Sequence, residues 1–478
     1  MSKLRHSFLF SIAEDYATLL IQITTTVILA RLLTPTEIGI FSVTIVLISL
    51  AHRFRDFGVT EYLIQEKNLT REKIQGALAV NISTAWIMSV IIYLSADWAA
   101  SFYNNSGVKD ILILLAFNFL ILPISSNIIA LLKRDMNFKA IFIINIAGAT
   151  VHAVTAVYLA LLSFSFMSLA WAAVASTITT ILFASFYRPK LMPYLPSFKN
   201  SKNIVSFGGI VSVSSIISTT GQGMPDMALG KNQDFEAVGL FSRANSLVRL
   251  FNQLIMSALN SISLPDLSQR LRNGESIKEH YLMMCTLVTG LAWPFFISVA
   301  FMAYPAIYIL YGDQWLQSVG AAQLLSIGAI AMLFAPLWTR VLLAYGLAKD
   351  YLKMQIKIQF ITISFIITGS FFSLNAVATA IMVSQLLSSA FIIYRLSLLL
   401  QFTTSEYFRS ITKSIAVTIT TSIPLFVISF FYEYNNNNYI SLFVISSILA
   451  AAFWGLGILL FRHPLKVEFS KMLKIIKK

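Results

Sequence analysis

Residues 236–263 read EAVGLFSRANSLVRLFNQLIMSALNSIS, a run long and apolar enough to cross a bilayer that nevertheless carries Arg249 near its middle. A spanning helix needs roughly 20 predominantly apolar residues. A cation at the bilayer centre costs from about 2.5 to well over ~10 kcal/mol, so Arg249 is expected to face a wet cavity or an anionic partner. The polar residues around it agree. Ser242, Asn245, Ser246, Arg249, Gln253 and Asn260 fall on one face of a 3.6-residue helix, with Arg243 on its edge.

The rest of the chain is of the same kind. Of 478 residues, 57% are hydrophobic and 12% charged, about half the charged fraction of a soluble protein, and the mean hydropathy is +0.75. Spans are predicted near 10–30, 38–58, 75–95, 109–131, 138–162, 165–187, 204–224, 236–262, 282–304, 318–345, 352–373, 375–399, 410–431 and 440–461. The expectation is an all-α integral membrane protein of about 14 transmembrane helices. Its net charge of +14 does not indicate nucleic acid, because all but seven of the 35 Lys and Arg lie in or beside the two termini and the even-numbered loops. That bias sets topology, with both termini cytoplasmic. Anionic membrane lipid is the expected partner of the basic tail, through Lys466, Lys471, Lys474, Lys477 and Lys478. No cleavable leader is visible, so the first helix reads as an uncleaved insertion signal. A single cysteine, Cys285, excludes an intramolecular disulfide and cysteine-based metal sites.

The longest outer loops are expected at 97–108, 223–235 and 304–317, too short to house chemistry outside the membrane. A faint repeat runs through the chain: Glu37-Ile-Gly-Ile-Phe-Ser42 opens the second span, and Ala237-Val-Gly-Leu-Phe-Ser242 opens the eighth, 200 residues on. Pro123 and Pro336 interrupt the fourth and tenth spans, again six apart. Such repeats predict two pseudo-symmetric six-helix lobes, residues 1–195 and 196–405, with a substrate site between them. Residues 406–478 add two transmembrane helices and a basic tail.

Polar side chains in a lipid-embedded bundle turn inward, so periodicity outlines a cavity wall. Ser11, Asp15, Thr18, Gln22 and Thr26 form a stripe on the first span, with Glu14 at its margin. On the second, Ser42, Ser49, Arg53 and Asp56 share a face; Ser214, Ser215, Ser218 and Gln222 do so on the seventh. The candidate substrate-binding residues are Arg249, Arg243, Arg53, Asn245, Gln253 and Gln22. Glu14, Asp15 and Asp56 are candidates for ion coupling, with H+ or Na+, or for structural ion pairs, Arg53 being the expected partner of Glu14 or Asp15. Ser and Thr have a plainer reading, hydrogen bonds to the preceding turn or to a neighbouring helix. Arg340 and Lys357 lie near helix ends and can snorkel. There is no Walker A sequence, His-Glu-x-x-His or paired-Cys motif, so a transporter without a cofactor is expected rather than an enzyme.

Four segments carry a family resemblance: Ala30-Arg-Leu-Leu-Thr-Pro-Thr-Glu-Ile-Gly-Ile-Phe41, Tyr62-Leu-Ile-Gln65, Gly239-Leu-Phe-Ser-Arg-Ala244 and Leu310-Tyr-Gly-Asp-Gln-Trp315. In order and position they resemble Wzx-type polysaccharide flippases of the multidrug/oligosaccharidyl-lipid/polysaccharide exporter superfamily. The resemblance implies two six-helix lobes plus two helices, in a bacterial inner membrane. It also implies a polyprenyl-diphosphate-linked oligosaccharide as substrate, with a polysaccharide polymerase and a chain-length regulator as partners. The rival within the superfamily is a cation-coupled drug or metabolite antiporter, disfavoured because no carboxylate is expected near the midplane. A polymerase or ligase is disfavoured by the short outer loops.

Overall fold

The computed structural model describes residues 2–56, 58–193, 195–198, 201–431 and 439–476, with backbone alone for 2–9, 201–214, 258, 261 and 472–476. Among these it is helical throughout, without a strand. Among the described residues, eleven helices are long and apolar enough to span a membrane. The three remaining expected spans are helical too: 236–262 and 352–373 carry more polar and charged residues, and much of 204–224 falls where the backbone alone is described.

The chain packs as two compact units, Met1–Gly239 and Leu240–Lys478. In the first, α1 (Ser2–Leu32) lies against α6 (Phe138–Leu161), and α2 (Pro35–Asp56) against α8 (Ser201–Asn232). The short α3 (Val59–Gln65) joins α2 to α4 (Arg71–Tyr103), which pairs with α5 (Ser106–Arg134), and α7 (Met167–Phe186) packs on α5 and α6. The helix α9 (Phe235–Phe251) starts here and crosses into the second unit. There a single π-turn (Asn252–Met256) leads into α10 (Ser257–Arg272). The centre of that unit is α11 (Ile277–Phe301) against α13 (Val319–Met332) and α17 (Thr404–Phe431). Around it lie α12 (Ala303–Tyr311), α14 (Trp338–Ala344), α15 (Ala348–Ser370), α16 (Leu374–Leu400), α18 (Tyr439–Leu460) and the amphipathic α19 (Leu465–Ile476).

Local signals place the helix starts. Thr34 and Glu37 form a capping box around Pro35: the Thr34 N–H donates to Glu37 Oε2 at 2.7 Å, and the Glu37 N–H donates to Thr34 Oγ1 at 3.3 Å. At the repeat-equivalent position, Asp234 Oδ1 caps α9 by accepting the Ala237 N–H at 2.7 Å. The glycines of the repeat then explain themselves. A side chain on Gly39 would run into the Phe235 carbonyl, and one on Gly239 into the Pro35 carbonyl. The first turns of α2 and α9 thus touch backbone to backbone, reciprocally and at a constant offset of 200, as two copies of one motif would.

Several expectations are corrected. The outer loops are largely helical: α4 runs to Tyr103, α8 to Asn232, and 304–317 is α12 followed by the 3-10 turn Asp313–Ser318. Asp226, expected in a loop, therefore sits inside α8, close enough to Tyr103 to act on it electrostatically. It lies six residues before the end of α8, away from the helix middle where no carboxylate is expected. The two prolines of the repeat also differ. Pro123 is carried within a continuous α5, whereas Pro336 lies in a break between α13 and α14, where Leu337 is left-handed (φ 58°). A proline removes one helix hydrogen bond and crowds the carbonyl four residues back. Most residues of α5 from Gly107 to Leu132 that face its neighbours are buried.

Candidate functional site

Exposure separates lipid-facing from water-facing surfaces. On α4 from Trp86 to Leu94 the exposed side chains are Trp86, Ile87, Val90, Ile91, Tyr93 and Leu94, the composition a helix presents to acyl chains. Along the middle of α9 and its π-turn, the exposed residues are Arg249, Asn252, Gln253 and Ser257. These are polar without exception, on one face, in the stretch predicted to cross the hydrocarbon. Arg249 makes no hydrogen bond or ion pair among the described residues, so its desolvation in lipid would go uncompensated. A face of that composition suits water or an anionic ligand better than acyl chains. A π-turn follows directly: the Ser257 N–H reaches back to the Asn252 carbonyl, five residues away, while Asn252 and Gln253, three and four residues after Arg249, share its face. Single π-turns of this kind occur frequently at functional sites.

Arg243 stands apart from this face. Its guanidinium carbon lies 5.7 Å from the Tyr311 ring centre and 5.5 Å from that of Trp315, and its Nε is buried without a hydrogen-bond partner. Two of the quoted motifs, Gly239–Ala244 and Leu310–Trp315, therefore meet in one cation–aromatic box. Trp315 is fully buried, so the box holds helices rather than offering a ring to a sugar. Asn245 is half-buried on the same turn. Arg340 on α14, expected to snorkel, donates from Nε to Asn260 Oδ1 on α10 at 3.2 Å.

In the first unit, Asp15 and Gln22 are exposed on α1. Glu14 accepts a hydrogen bond from the Asn145 amide of α6, and Arg53 donates from Nε to Thr219 Oγ1 of α8 at 3.2 Å. The expected pairing of Glu14 or Asp15 with Arg53 is not made. Asp56 pairs instead with Arg55, a residue that periodicity left off the polar face. Arg55 is buried, with one guanidinium nitrogen unpartnered. Neighbouring charges at 53, 55 and 56 share too little separation for a helical pattern to tell which two meet. Among the hydroxyls the plain reading holds widely: Thr25, Thr44, Thr220 and Ser246 each bond to the carbonyl four residues back. Ser214 lies where only the backbone is described.

Outside the spans, His463 joins the tail to the second unit. Its Nδ1 accepts the Leu465 N–H at 3.2 Å, which leaves the proton on Nε2, 3.1 Å from Ser414 Oγ of α17. Ser414 Oγ in turn donates to the Thr286 carbonyl of α11 at 3.0 Å. Burial, then Lys413, lowers the His463 pKa to about 4.

Comparison with known proteins places this architecture. Over residues 28–320 the chain matches the model of a family described as "Polysaccharide biosynthesis protein". It is 24% identical over 425 residues to the teichuronic acid biosynthesis protein TuaB of Bacillus subtilis, covering 87% of this chain and 86% of that one. The lipopolysaccharide biosynthesis protein WzxC of Escherichia coli is 21% identical, over 63% of this chain and 61% of its own length. Among solved structures, the lipid II flippase MurJ in an inward closed conformation aligns with a TM-score of 0.75 at 13% identity, covering 94% of this chain and 99% of that one. An inward-facing multidrug resistance MATE transporter aligns at 0.65 and 14%, over 81% and 96%. The fold is that of these exporters, and with more than half its length matched the chain belongs to the polysaccharide biosynthesis protein family.

Proposed function

We propose that this chain is a flippase that turns polyprenyl-diphosphate-linked oligosaccharide repeat units from the cytoplasmic to the outer leaflet, for assembly of a surface polysaccharide. The observation that carries the reading is the unpaired Arg249 on the exposed polar face of α9. A diphosphate needs charge-assisted donors, and a guanidinium provides them in a geometry matched to phosphate oxygens. Asn252, Gln253 and Ser257 beside it offer amide and hydroxyl partners for sugar. The names of the relatives, which concern teichuronic acid and lipopolysaccharide biosynthesis, support a polysaccharide precursor as cargo. In this reading the two lobes of the repeat work by alternating access while the prenyl tail stays in lipid. Arg53, Gln22 and Asn245 assist headgroup binding, and Glu14 or Asp15 couples transport to H+ or Na+. The protein sits in a bacterial inner membrane with both termini cytoplasmic, and delivers to a polymerase and a chain-length regulator.

One observation favours a second reading. Asp226 inside α8 is the sort of acidic group a cation-coupled antiporter uses. Proteoliposomes separate the two. The flippase reading expects translocation of polyprenyl-diphosphate-linked oligosaccharide that is insensitive to Asp226→Asn and lost in Arg249→Ala. Proton-driven uptake of organic cations, lost in Asp226→Asn, with no lipid translocation, is the outcome that would reverse the assignment.

A further inference from the structure

Three loops of the first unit, on the face that the charge bias assigns to the cytoplasm, close around a cavity of about 340 Å³ away from the polar helix faces. Lys67, Asn68 and Leu69 line it from the loop before α4, Leu131, Arg134 and Asp135 from the end of α5, and Pro189 and Leu191 from the loop after α7. We propose that this cavity is a binding site for the phosphodiester headgroup of an anionic phospholipid of that leaflet.

The walls are held in place before any ligand arrives. Arg134 donates from Nη1 to the Leu63 and Ile64 carbonyls at 2.9 and 3.1 Å, oxygens that the end of α3 leaves without helical partners. The other nitrogens of its fork make no hydrogen bond among the described residues. Lys73 ties the first loop by donating to Glu66 Oε1 at 2.8 Å and to the Asn68 carbonyl at 2.9 Å, leaving Lys67 exposed and unpaired. Arg188 ties the third by donating to the Pro193 carbonyl at 2.6 Å. Pre-organised walls lower the ordering cost of binding.

Charge selects the ligand. Two cations against one carboxylate leave a single net positive charge, which matches a phosphodiester monoanion better than a free phosphate of higher charge. Apolar groups select the attachment. Leu191 is 47% exposed at the rim, and Leu195 and Phe198 on the same loop are 74% and 68% exposed. Such side chains, beside Arg188 and Lys190, fit the boundary where headgroups meet acyl chains, and basic pockets at the inner ends of spanning helices bind anionic lipid heads.

The test is native mass spectrometry of the full chain in detergent, offered phosphatidylglycerol, phosphatidylcholine or inorganic phosphate. Phosphatidylglycerol should be retained preferentially, and inorganic phosphate should not displace it. A cation at the membrane surface is worth about five-fold in affinity, so Lys67→Gln should lower retention by that factor. Lys353→Gln, an equal charge loss on α15, should leave it unchanged, both variants melting as the parent does. Equal retention by all three proteins would overturn the site in favour of diffuse attraction. Displacement by inorganic phosphate at matched concentration would overturn the lipid as its source.

Discussion

At the scale of single residues, Arg249 carries the account. Its interest was legible because a charge is conspicuous in an apolar run, and the structure leaves it exposed among polar neighbours. Arg249→Ala should reduce translocation of lipid-linked oligosaccharide by about 10- to 100-fold, the range of a lost charge-assisted bond, without reducing membrane insertion. Arg249→Lys should recover part of it, since an ammonium keeps the charge but not the fork. Transport assayed in proteoliposomes of equal protein content checks both. The partners of the other candidates were not legible. Nothing in spacing says that Glu14 meets Asn145 or that Arg53 meets Thr219, because helical period fixes a face and not the helix opposite. His463 gives a pH prediction. Its folded pKa of about 4 lies below the ordinary value near 6.5, so the unfolded chain takes up the proton first as pH falls. Its contribution is intact above pH 6.5 and lost between 6.5 and about 4, by up to about 1.4 kcal/mol per pH unit. The melting midpoint of the parent should therefore fall more between pH 7 and 5 than that of His463→Gln.

At the scale of elements, the helices followed from apolar length and their starts from capping chemistry. The Thr34–Glu37 box and the Asp234 cap lie 200 residues apart and are both readable in the sequence. What the sequence concealed was the continuation of helices through segments rich in Gly, Asp and Asn, where tertiary contact outweighs local preference; α8 through Asn232 is the case in point. The π-turn after Arg249 has no sequence signature, since its residues are ordinary helix formers. The Gly39–Gly239 contact yields the prediction at this scale. Gly39→Val puts a branched side chain where the Phe235 carbonyl stands, so α2 and α9 must separate at their first turns. The expected result is a lower melting midpoint and loss of transport. Val at Gly455, which has open space around it, should cost much less in the same melting experiment.

For the whole molecule, composition and the even-loop bias of Lys and Arg already implied a multi-pass protein, and the repeat of Gly39 and Gly239 implied duplication. The number of spans was less legible. The polar face of α9 lowers its hydropathy, so this helix is hard to count for the same reason that it is the most interesting. The central claim is that this face handles a lipid-diphosphate headgroup. Its most direct test is the sidedness of lipid-diphosphate-linked oligosaccharide in cells carrying the intact chain, Arg249→Ala or no copy, in a background without a redundant flippase. Precursor trapped on the cytoplasmic leaflet in both defective strains, and not with the intact chain, is the predicted result. Normal sidedness in the strain without a copy would contradict it.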